Sequence, residues 1–138
     1  MNLKDICNEF KPDLIFLSEP QMLQCDLELM VTYLAGDYKS SLNSHDIYDP
    51  ELPLISAKPK GGTMILWKLQ HHPFITVFPV ASTSYIPVIF DPPDLATTIH
   101  ICVYFPTNGQ DQSFIDDIAL LSADLQSLRR SYPDASIC

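Results

Sequence analysis

Residues 97–106 read TTIHICVYFP. In an extended chain Ile99, Ile101, Val103 and Phe105 fall on one face, and Thr98, His100, Cys102 and Tyr104 on the other. After the loop TNGQDQ the period changes. Phe114, Ile118, Leu121, Leu125 and Leu128 mark one face of a helix. Ser113 and Asp116 fit an acidic capping box at its start. Arg129 and Arg130 suit the helix dipole in its last turn, and Tyr132 and Pro133 end it. The ASIC that follows has the character of another strand. A strand, a helix and a strand in that order require a crossover connection, so the chain is α/β.

The upstream half has the same logic. Leu3, Ile6, Cys7 and Phe10 repeat at helical spacing, with Asn2 and Asp5 placed to cap and Pro12 placed to stop. In KPDLIFLSEPQ, residues 11–21, the run from Leu14 is continuous rather than alternating, which predicts a strand covered on both faces. Leu23, Leu27, Met30 or Val31, and Leu34 suggest a second helix that ends near Gly36. Residues 37–60 are polar, acidic and proline-marked, and read as a long surface loop. GGTMILWK is the next strand. FITVFPVASTSYIPVIF is β-rich but interrupted by Pro79 and Pro87, which predicts a bent strand or one near an edge. The order is helix, strand, helix, three strands, helix and the start of a strand, with at least two crossovers and no internal repeat.

A chain of 138 residues with 46% apolar content is enough for one domain with a core, and short for two. No apolar run approaches the length of a membrane span. The opening MNLKDICNEF lacks the pattern of a secretory signal. Cys7, Cys25, Cys102 and Cys138 have irregular gaps and no CxxC pair, so they read as small buried apolar residues rather than a zinc or disulfide framework. These features lead us to expect an intracellular protein, nuclear or cytoplasmic and not secreted. The net charge of −9, with eight basic residues, works against autonomous nucleic-acid binding. Lys58, Lys60 and Lys68 form a local basic segment, or simply solvated surface.

Few residues suggest chemistry. Glu19 closes a strand, and ligands of α/β sheets gather beyond the C-terminal ends of strands. Its carboxylate suits a hard cation such as Mg²⁺; it equally suits a solvated turn beside Pro20, the simpler reading on spacing alone. Tyr104 ends the clearest strand. It would serve as a donor to a phosphate, or as an ordinary half-buried strand tyrosine. His71 and His72 read as turn residues, His100 as a packing residue, and His45 as a loop residue. KPKGGT lacks Walker spacing, and neither GxSxG nor HExxH occurs.

Three blocks, PDLIFLSEP, KGGTMIL and IHICVYFPTNGQDQSF…LQSLRRSYPDASIC, together resemble the endonuclease/exonuclease/phosphatase superfamily. The narrower resemblance is to the endonuclease domain that precedes reverse transcriptase in LINE-type retrotransposons. The blocks cover nearly the whole chain in the family's order. The resemblance implies a two-sheet α/β sandwich with helices outside, and Mg²⁺-dependent phosphodiester hydrolysis acting on DNA. It assigns Glu19 to the metal, Tyr104 to the scissile phosphate or the attacking water, and Thr107 to the same site. Pro20 stands where Thr is usual and Thr107 where Asn is frequent, so the amide that Asn would supply is missing.

The resemblance also implies a partial domain over residues 1–138. The family's first strand, its Gly-Asp-x-Asn motif and its closing Ser-Asp-His motif have no counterpart in these residues, and none of the four histidines stands in for the catalytic one. We therefore expect the chain alone to be inactive or nearly so, to bind Mg²⁺ weakly and DNA weakly or not at all, and to be marginally stable and prone to aggregate through uncovered strand edges. A non-catalytic remnant or interaction module is the second reading. A phosphoester phosphatase of the same superfamily is the third.

Overall fold

The structure, a computed structural model, describes residues 3–18, 37–43, 63–105 and 112–138. In chain order its elements are α1 (Leu3–Phe10), β1 (Leu14–Ser18), β2 (Tyr38–Asn43), β3 (Thr63–Lys68), a 3₁₀ helix (Leu69–Phe74), β4 (Ile75–Val77), β5 (Tyr85–Phe90), β6 (Thr98–Val103), α2 (Gln112–Ser131) and β7 (Ser136–Ile137). The second expected helix, near residues 23–34, lies outside the described residues. So do Cys25, His45, Lys58 and Lys60.

Two sheets form. One has the order β1-β3-β2, with both pairings antiparallel to β3. The other has the order β4-β5-β6-β7, antiparallel except for the parallel β6–β7 pair. That parallel pair is the crossover through α2 expected from the sequence, with ASIC supplying β7. β1 and β2 run the same way on either side of β3, so the chain between them also crosses over.

The strand buried on both faces is β3, not β1. Met64 and Leu66 pack with Cys7 of α1, Tyr38, Ile15 and Leu17 on the outer side. Ile65 and Trp67 face Ile86, Val88 and Cys102 across the sandwich. β1 is a flanking strand among the described residues. Its apolar run hides an alternation in which Phe16 stays 39% exposed. On the far side of the second sheet, Ile89 and Ile99 pack against Leu128 of α2. The face of β6 that looked polar in the sequence, with His100 and Cys102, is thus turned inward between the sheets.

Residues 37–60 were expected to form a loop, yet Tyr38–Asn43 is a strand. Its composition is polar, and β3 supplies what propensity does not, because the ladder satisfies its backbone groups. Tyr38 is buried, and its hydroxyl donates to the Pro12 carbonyl at 2.8 Å. Residues 44–60 lie outside the described residues.

The β-rich stretch after the 3₁₀ helix is two strands rather than one bent one. Pro87 sits inside β5, an interior strand. Its carbonyl accepts the Phe78 N–H at 3.0 Å, and the return bond would need the N–H that proline lacks. Phe78 is the first residue after β4, so the missing donor falls where the ladder ends.

Three smaller expectations also change. Phe10 and Ile118, assigned to apolar helix faces, are exposed. α2 begins at Gln112, one residue ahead of the expected cap, and the Gln112 amide donates to Asp116 at 3.0 Å. Cys7 and Cys102 are buried as expected, but Cys138 is exposed. Lys11 follows the end of α1, and its φ of 46° closes the helix in the left-handed region ahead of Pro12. The Lys11 N–H donates to the Cys7 carbonyl at 3.2 Å.

Candidate functional site

The C-terminal ends of β1 and β6 meet across the sandwich. The Cys102 thiol approaches the Leu17 carbonyl at 3.9 Å, a weak contact that places the two strand ends next to each other. Ser18 is paired with Thr63, and the Thr63 hydroxyl reaches the Thr83 carbonyl at 3.5 Å. The next carbonyl, that of Ser84, accepts the Tyr104 backbone N–H at 2.7 Å. Ser18, Thr63, Ser84 and Tyr104 are therefore gathered at one end of the molecule. Tyr104 is half-buried there, on the side of β6 that alternation assigns to His100 and Cys102. Glu19 and Thr107 lie outside the described residues.

Behind Tyr104 is a group that sequence reasoning missed. Asp117 of α2 accepts hydrogen bonds from the Ser82 and Ser84 hydroxyls, each at 2.6 Å. Ser82 and Ser84 are buried, and the Ser82 hydroxyl also accepts the Ser84 N–H at 3.0 Å. One heptad on, Asp124 accepts the Tyr85 hydroxyl. Burial, and then the Asp124 carboxylate beside it, push the Tyr85 phenol well above its ordinary value. The signal was present: Asp117, Leu121, Asp124 and Leu128 share one helical stripe, and acids inside such a stripe must be met by donors. Thus α2 is pinned to the start of β5, and β5 in turn holds Tyr104.

The other end of the sandwich carries the described histidines His71, His72 and His100. Asp13 accepts from Lys68 at 3.3 Å and meets His71 Nε2 at 2.9 Å. The His71 hydrogen bond, followed by Lys68, holds the Asp13 carboxyl below the usual range. Trp67 Nε1 donates to His72 Nδ1 at 3.2 Å, with the two ring planes nearly parallel and their centroids 6.0 Å apart. The adjacent histidines therefore serve different partners, in keeping with the turn reading. Lys68 is engaged rather than part of a free basic patch.

His100 is half-buried between the sheets, and burial lowers its imidazole below the ordinary histidine value. Its unfolded state binds the proton more readily, so stability rises with pH through the window below about 6.5. Melting temperatures should fall on acidification through that window, and His100→Phe should flatten the slope. Asp13 adds to the loss only at lower pH, as its depressed carboxyl protonates.

Among the described residues no three His, Cys, Asp or Glu side chains converge as a metal site. No helix among them is long and apolar enough to cross a membrane.

Two sheets packed face to face, with α1 and α2 outside, give this chain the α/β sandwich architecture of the endonuclease/exonuclease/phosphatase type, with sheets that are not closed. The human Nocturnin catalytic domain with bound sulfate is similar, with a TM-score of 0.59 and 13% identity over 99% of this chain and 53% of that chain. TDP2 from Caenorhabditis elegans gives 0.56 and 13% over 98% of this chain and 38% of that one. ANGEL2, a 2′,3′-cyclic phosphatase, gives 0.56 and 14% over 91% and 37%. The likeness is one of fold, and the chain spans about two fifths to half of these proteins. No protein-family profile and no curated protein sequence matches the chain.

Proposed function

We propose that this chain carries part of the catalytic surface of a metal-dependent phosphodiesterase, of the kind found in the DNA endonuclease domains of LINE-type retrotransposons. The supporting observation is the meeting of the β1 and β6 ends at the Leu17–Cys102 contact, with Tyr104 tied to the neighbouring β5 end through the Ser84 carbonyl. Glu19 follows directly on the first of these strands, and Tyr104 on the second. In this reading the Tyr104 hydroxyl donates to a phosphate oxygen. The Thr107 hydroxyl offers a second donor to the same group. Asp117 acts through Ser84 as a positioning residue for the Tyr104 backbone.

Glu19 is the residue that would hold Mg²⁺. A hard carboxylate oxygen is the right donor type, and the ion when bound polarises a phosphoryl oxygen. One carboxylate is an incomplete donor set, so residues 1–138 bind Mg²⁺ weakly and do not hydrolyse DNA unaided. The charge of −9 weakens DNA binding further. A TDP2 from D. rerio, solved with a single-strand DNA product, has a similar fold, with a TM-score of 0.51 and 14% identity over 98% of this chain and 49% of that one.

Two readouts test the proposal. In ¹H–¹⁵N spectra, Mg²⁺ should shift amides at Ser18 and Tyr104 in the native chain and not in Glu19→Ala. Unchanged spectra in the native chain, or equal shifts in the variant, would discard Glu19 as the ligand. Supercoiled plasmid incubated with the chain and Mg²⁺ should remain supercoiled; nicking that disappears in Glu19→Ala would overturn the expected inactivity.

A further inference from the structure

A cavity of about 340 Å³ opens between the sheets at the end away from Tyr104. Its walls are Leu14 of β1, Ile75 of β4, Phe90 of β5 and Leu95 of the loop before β6. Thr98 also lines it, and six residues of extended chain, or ~20 Å, separate Thr98 from Tyr104. The cavity is therefore distinct from the strand-end surface. Its volume lies at the lower end of the roughly 300–1,000 Å³ typical of small-molecule sites.

The lining selects the chemistry. An anion would face Asp13, and the nearby donors Lys68 and His71 are already engaged with that carboxylate. A cation would find Asp13 already paired and would lose its hydration against four apolar side chains. An uncharged molecule meets neither penalty. The Phe90 ring lies edge-on to His71 with centroids 5.2 Å apart, so the wall is already built for aromatic packing. His100 supplies the polar point. Its Nε2 is bonded to the Thr98 hydroxyl at 3.1 Å, and its Nδ1 has no hydrogen-bond partner among the described residues. Burial disfavours the charged imidazole, leaving one ring nitrogen as donor and the other as acceptor.

We propose that this cavity binds a small, uncharged aromatic heterocycle, packed on Phe90 and Leu14 and hydrogen-bonded to His100 Nδ1. The geometry is independent of the strand-end surface, so the site stands whether or not the chain belongs to a phosphodiesterase.

The test is a titration of the full chain with 7-azaindole at neutral pH, followed by ¹H–¹⁵N spectra. This probe has an adjacent N–H donor and ring-nitrogen acceptor, so it suits either tautomer of His100. Saturable shifts are expected at Leu14, Ile75, Phe90 and Thr98, with Ser84 and Tyr104 unmoved. Leu95→Trp, in an exposed loop position, should fill the mouth and weaken binding by about tenfold or more. His100→Phe should weaken it by about three- to tenfold, the share of one hydrogen bond. Absence of saturable shifts in the native chain would overturn the proposal. So would shifts centred on Tyr104, or affinity unchanged in Leu95→Trp.

Discussion

Replacing Leu66 with alanine should remove about 2–5 kcal/mol of stability, the cost of deleting a fully buried leucine from a core that only partly relaxes. Leu66 lies in the middle of β3, the strand that both flanking strands of its sheet depend on. It packs in the cluster that binds α1, through Cys7, to that sheet. A domain of this size typically holds about 5–15 kcal/mol in total, so the loss consumes a large share. Denaturant unfolding should show a midpoint well below that of the native chain, and aggregation should begin at lower temperature. Phe16→Ala, at a partly exposed position of β1, is the control and should cost far less. Equal losses at the two positions would contradict the assignment of β3 as the strand buried on both faces.

Asp117→Ala should have the second largest effect. It removes the acceptor that two buried serine hydroxyls share, and losing a buried hydrogen-bond partner costs about 1–3 kcal/mol. Asp117→Asn retains one acceptor oxygen and should recover part of the stability. The effect should also reach Tyr104, whose backbone is bonded to Ser84. Amide exchange at Tyr104 should accelerate in Asp117→Ala more than at Ile99, on the same strand but packed under Leu128. Uniform acceleration at both amides would reduce Asp117 to a general stabilising residue with no positioning role.

How legible the fold was depends on the element. β6, α2 and β7 could be read directly, because alternation, helical period and capping chemistry agreed over a long stretch. β1 was located but its environment was misread. A short apolar run has the same appearance whether one face or two are covered, and only the neighbours decide. β2 was invisible, since Tyr38–Asn43 has a polar composition and gains its ladder from β3. Pro87 misled for a local reason: proline is excluded from a ladder only where its N–H is needed, and there the ladder had ended.

The candidate site divides in the same way. Tyr104 was marked by its place at the end of an unmistakable strand. Its meeting with the end of β1 could not be seen, because residues 17 and 102 are far apart in the chain and adjacent only across the sandwich. Asp117 and Asp124 were not singled out, although their spacing put them on the apolar stripe of α2. Glu19 and Thr107 rest on resemblance alone and stand as proposals.

Local order was within reach of the sequence itself: the α/β class, the crossover through α2, the strand ending at Tyr104 and the acidic charge that disfavours unaided DNA binding. These follow from periodicity and charge, which each segment carries in its own residues. Tertiary structure alone decided which strand is buried on both faces, that a polar segment becomes a strand, that the two strand ends meet, and that a histidine lines a cavity at the far end. Each of these depends on contacts between residues distant in the chain, and burial is a property of the partner as much as of the residue.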